Sequence, residues 1–140
     1  MTQRILILVV LLATAGCASA PTTPEYEIFG ILEGAWDEVD PATCQASRVI
    51  SFSDDWKTLI ATFPDGAYFD EDDIRDQLRY RIHDVTESEI RAAMEDETRL
   101  DPDGNPVVWR LRLIDSRTFC WGRDDWPENY CTPPRYKCDS

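Results

Sequence analysis

The stretch "VVWRLRLI", Val107 to Ile114, alternates strictly: Val107, Trp109, Leu111 and Leu113 fall on one side, Val108, Arg110, Arg112 and Ile114 on the other. A period of two belongs to an extended strand with one face buried, and it recurs along the chain. "RVISFS", Arg48 to Ser53, puts Ile50 and Phe52 on one face; "TLIATF", Thr58 to Phe63, does the same with Leu59, Ala61 and Phe63. "DDWK", Asp54 to Lys57, suits a hairpin between these two. "RYRIHDV" (Arg79 to Val85) and "EIRAAME" (Glu89 to Glu95) flank a turn-like "TES", with Tyr80 and Ile82 facing away from Arg79, Arg81 and His83. "DPDGNP", Asp101 to Pro106, supplies Asp103 and Gly104 for a third turn, and "DSR" leads Val107 to Ile114 into "TFCW", Thr118 to Trp121.

With an opening strand over Ile31 to Val39, the pattern predicts an all-β fold of seven or eight antiparallel strands in sequence order. Short connections favour an up-and-down meander, and the single apolar face of each strand must be covered. Closing the meander into a small barrel does this and removes the exposed edges. Only "DEDDIRDQL", Asp70 to Leu78, is read as a turn or two of helix. The Pro-containing tail from Gly122 to Ser140 has no period and is expected to wrap the outside or an end of the barrel.

The start of the chain gives an address. "ILILVVLLA", Ile5 to Ala13, is an uncharged run behind Arg4, too short for a spanning helix, which needs about 20 residues. A positive flank before it and small residues after it mark a removable secretion signal. "TAGC", Thr14 to Cys17, resembles the lipobox of bacterial lipoproteins, with Thr14 where that family prefers leucine. The resemblance implies cleavage before Cys17 and lipidation of Cys17 with palmitate-like chains. Ala18, rather than aspartate, after the cysteine implies the outer membrane; the expected location is lipid-anchored there, facing the periplasm. More than one acyl chain is what stable anchoring requires. The organisation expected is a signal peptide over 1–16, a lipid-anchored tether over 17–27, rich in Pro, Ser and Thr, and a single β-domain over 28–140.

The cysteines agree with that address. Five cysteines would leave one unpaired in an oxidising compartment, and assigning Cys17 to lipid leaves Cys44, Cys120, Cys131 and Cys138. Four can make two disulfides in three ways, and the sequence does not choose among them. No C-x-x-C pair occurs, so neither a redox motif nor a zinc knuckle is read.

Composition narrows the function classes. The 14 basic and 27 acidic residues give a net charge of −13, which becomes −14 when Arg4 leaves with the signal. That field repels phosphate backbones, so no nucleic-acid partner is expected. His83 is the single histidine and lies on an outward strand position; there is no G-x-S-x-G elbow and no Gly-rich phosphate loop. The acidic run from Asp65 to Asp76 lacks the EF-hand pattern and reads as a solvated loop, and "DPDGN" reads as a turn. No enzyme activity, no metal and no cofactor are therefore expected.

Aromatic residues stand out instead. Trp36, Tyr80, Trp109 and Trp121 are candidate ligand-binding side chains inside a barrel, the alternative being that they simply fill it. "GAW", Gly34 to Trp36, followed by a hairpin meander and Arg123 near the end, is similar to the calycin superfamily of lipocalins and their small relatives. That likeness implies a lipocalin-like barrel and carriage of a small apolar ligand. The leading expectation is a non-catalytic, lipid-anchored envelope protein whose β-domain binds a protein or surface partner. The alternatives are an apolar-ligand carrier and an inhibitor of a cationic cell-wall-degrading enzyme.

Overall fold

A computed structural model describes residues 26–70 and 72–139. The signal segment, the Cys17 lipidation position and nearly all of the tether lie outside the described residues. Helix α1 (Ile28–Leu32) opens the fold, followed by β1 (Gly34–Asp37), β2 (Arg48–Phe52), β3 (Thr58–Asp70), β4 (Asp73–Val85), β5 (Glu89–Met94), β6 (Val108–Asp115), β7 (Thr118–Arg123) and β8 (Arg135–Lys137). Each strand pairs antiparallel with the next, and β8 pairs back onto β1, so the sheet is a closed eight-stranded up-and-down barrel. Closure satisfies the edge hydrogen bonds that an open meander would expose.

The register fixes which residues point inward. Ile50 faces Ala61, Leu59 faces Tyr80, Tyr80 faces Met94, Ala92 faces Trp109, and Leu111 faces Trp121. These are the apolar positions of the two-residue period, and most of them are buried. Trp36 and Phe119 are fully buried and meet edge to face, ring centroids 4.8 Å apart. Such a pair contributes about 0.5–1.5 kcal/mol beyond its area.

One end of the barrel is closed by α1. Ile28, Phe29 and Leu32 are buried there, and Phe29 packs on Phe52 and Trp56 with centroids at 4.8 and 5.3 Å. Trp36 Nε1 donates to the Leu32 carbonyl at 2.8 Å, locking the helix to the first strand. Tyr26 also packs against this core.

Three expectations are corrected. The segment Asp70–Leu78 is not helical: Asp73 onward belongs to β4, paired with β3 through two register shifts. Its acids are spaced without the three-and-four apolar repeat that a helix needs, and Leu78 keeps the parity of Tyr80 and packs on the core. The opening strand over Ile31–Val39 is split, because Ile28–Leu32 turns helical to cap the barrel and only Gly34–Asp37 is extended. The tail does more than wrap: Arg135–Lys137 is the stave that completes the barrel.

The cysteines left after Cys17 pair as Cys44–Cys138 and Cys120–Cys131, with Cα atoms 5.3 and 5.8 Å apart. The first ties the β1–β2 loop to the residue after β8, and Cys138 N also donates to the Ala35 carbonyl at 3.0 Å. The second fastens the tail to β7.

Candidate functional site

Opposite α1 the barrel is not filled to its end. A cavity of about 550 Å³ opens there, lined by Phe63, Leu78, Tyr80, Trp109 and Trp121 with Arg48, Arg99, Arg135 and Glu38. Its size lies within the range of about 300–1,000 Å³ usual for small-molecule sites. Arg48, Phe63, Leu78, Tyr80, Trp109, Trp121 and Arg135 come from β2, β3, β4, β6, β7 and β8 at positions of inward parity, while Glu38 and Arg99 enter from the loops after β1 and before β6.

The walls are aromatic and fixed. Tyr80 and Trp121 stack with centroids at 5.1 Å and planes 27° apart, and Trp109 stands edge-on to Trp121 at 6.1 Å. Trp109 Nε1 donates to Glu97 Oε2 at 2.8 Å, and the Glu97 side chain is only 2% exposed. Glu97 also accepts from Arg99 Nε at 2.7 Å, and the Arg99 guanidinium lies 4.9 Å over the Trp109 ring. Burial pushes Glu97 upward, but the hydrogen bonds from Arg99 and Trp109 outweigh it and hold the carboxyl below its ordinary value. Burial raises the Tyr80 phenol far above its usual range, so it stays a neutral hydroxyl in the wall.

The charged floor is unequal. Arg48, at the start of β2, is one of two buried polar or charged residues among the described residues, 8% exposed. Its Nη2 donates to Glu38 Oε1, and Arg135 Nη2 reaches the same oxygen at 3.0 Å. Two guanidinium groups thus share one carboxylate that is itself half exposed. Arg48 also lies over the Phe63 ring, 5.6 Å from its centroid. Burial first, and the charge of Arg135 second, lower the Arg48 guanidinium below its ordinary value.

Of the aromatic candidates, Tyr80, Trp109 and Trp121 meet at this cavity and Trp36 does not: it is sealed in the core near α1. Arg123 lies away from the "GAW" tryptophan. It ends β7 at the open end, forked onto Asp125 at 2.8 and 2.6 Å and lying over Trp126. The cation over Trp36 is Lys137 of the last strand. Arg48 and Arg135 escaped the sequence reading, although Arg48 carries the same parity as Ile50 and Phe52. His83 is exposed on β4, away from the cavity lining.

The fold and mouth define a small closed β-barrel, capped at one end and open at the other. No protein family, curated protein or solved structure matches the chain.

Proposed function

We propose that this chain is a lipid-anchored, non-catalytic envelope protein that carries a small ligand in the mouth of its barrel. The observation that carries the reading is the cavity of about 550 Å³, reached from one barrel end and walled by Phe63, Leu78, Tyr80, Trp109 and Trp121. A docking module for a protein partner would be expected to fill its barrel and display an apolar patch outside. A carrier needs an accessible concave interior in which apolar walls meet placed polar groups, here Arg48, Arg99, Arg135 and Glu38. The anchor rests on the lipobox-like "TAGC", and the absence of a catalytic role rests on the lone His83 and the lack of nucleophile motifs.

The test is mass spectrometry under native and denaturing conditions on residues 18–140 secreted to the periplasm. A non-covalent mass lost on denaturation supports carriage and identifies the ligand class. A bare mass, lower by two hydrogens for each disulfide, turns the search to a protein partner on the outer surface, including a cationic cell-wall-degrading enzyme.

A further inference from the structure

Inward positions of a small barrel are expected to be apolar, yet this one turns several cations inward. Lys137 is accounted for by the Ile31 carbonyl and the Trp36 ring, and Arg123 by its fork onto Asp125. Arg99 is held by Glu97. Arg48 and Arg135 are different: the one carboxylate ion-paired with them is Glu38, Arg135 Nη1 is spent on the Pro133 carbonyl at 2.7 Å, Asp37 faces Arg48 only as a nearby charge, and Nε of each guanidinium is buried with no hydrogen-bond partner among the described residues. A buried charge without full compensation costs free energy, and two like charges sharing one counter-ion cost more.

Resting on the carrier reading, we infer that Arg48 and Arg135 form an oxyanion site at the floor of the mouth, and that the ligand is a monoanion with an apolar or aromatic body. The trio of Arg48, Arg135 and Glu38 carries a net charge of +1, which one carboxylate-like head neutralises. A dianion would leave excess negative charge inside a chain already at −13. Guanidinium forks match planar oxyanions in a bidentate way, and charge-assisted hydrogen bonds are the strong ones. Trp109, Trp121 and Phe63 then receive the body of the ligand. The acidic surface opposes polyanions at long range, whereas the site acts within contact distance, inside a screening length of about 8 Å.

The experiment compares two dyes that share one ring system, anilinonaphthalene sulfonate, a monoanion, and the neutral N-phenyl-1-naphthylamine. Both are titrated into the mature, oxidised protein and followed by fluorescence. The anionic dye is expected to bind about tenfold more tightly than the neutral one. Arg135→Gln should abolish that preference, bringing the anionic dye down about tenfold to the affinity of the neutral one. Glu38→Gln removes the internal counter-ion, so it should widen the preference for the anionic dye over the neutral one. Ala67→Trp, which plugs the mouth, should weaken both. Equal affinities for the two dyes, unaltered by Arg135→Gln and Glu38→Gln, overturn the oxyanion site and leave carriage standing. If neither dye binds, or Ala67→Trp changes neither affinity, carriage falls with it.

Discussion

Lys137 Nζ lies 5.5 Å from the centroid of the Trp36 ring and donates to the Ile31 carbonyl, so one side chain of the last strand joins the first strand to the capping helix. The two ends of the folded chain are thereby clamped at the closed pole of the barrel. Burial, and then the nearby Arg117 charge, lower the Lys137 ammonium below its ordinary value, so the charge is kept at a cost while the stem packs on the indole. Lys137→Ala should lose about 1–2 kcal/mol through the missing stem and hydrogen bond. Lys137→Met, which keeps the stem, should lose less than half of that. Urea titrations decide it: equal losses would assign the stabilisation to the ammonium.

The closed barrel was legible because most staves carry a clean two-residue period with one apolar face, as in Val107 to Ile114. β8 was not, because three residues between Pro134 and Cys138 offer too short a stretch to show a period, and closure alone defines them. The far half of the β3–β4 hairpin was hidden for another reason. Around Asp72 to Asp76 the strands extend past the core, so few positions there demand an apolar residue, and the acids read as loop or helix. Tyr80, Trp109 and Trp121 could be named from parity, but whether they fill or line depends on how far the barrel extends beyond them. The Arg48–Glu38–Arg135 cluster needs three distant segments brought together by closure, which no local pattern displays.

Asp37, at the end of β1 and 7% exposed, organises the long β1–β2 loop. It accepts from Gln45 N at 2.7 Å and from the backbone N–H groups of Glu38 and Val39. The Gln45 bond chiefly lowers its carboxyl below the ordinary 3.8, against the opposing effect of burial. The folded state therefore holds this proton less tightly than the unfolded one, and the stabilisation is complete above pH 3.8 and fades as pH falls through the folded value. Asp37→Asn should lower the melting temperature at pH 7. The gap between variant and wild type should close in acid, below the folded value; a gap independent of pH would rule out the carboxylate as its source.

The two disulfides should differ in weight. Cys44–Cys138 spans 94 residues and Cys120–Cys131 spans 11. Chain-entropy reasoning gives about 3 kcal/mol for a loop of roughly 15 residues and about 4.7 for roughly 100. Cys44→Ser with Cys138→Ser should therefore depress the melting temperature further than Cys120→Ser with Cys131→Ser, and both should fall below the oxidised wild type. Identical wild-type melts with and without reductant would exclude any stapling role.

Glu97 links stability to the shape of the mouth. Its carboxylate accepts from Trp109 Nε1 and from the Arg99 guanidinium and backbone, and its side chain is almost wholly buried. Glu97→Gln keeps an oxygen for the indole but loses the charge facing Arg99, whereas Glu97→Ala removes the acceptor of the Trp109 indole N–H as well. The Arg99 side chain is 41% exposed, so water softens its loss, and the expected cost is about 1–2 kcal/mol for Gln and about 2–3 for Ala. Because Trp109 is a wall of the cavity, both variants should also shift tryptophan emission and weaken binding of the neutral dye. Lost stability with unchanged dye affinity would make Glu97 a brace of the β5–β6 connection alone; loss of both makes it the residue that sets the position of the Trp109 wall.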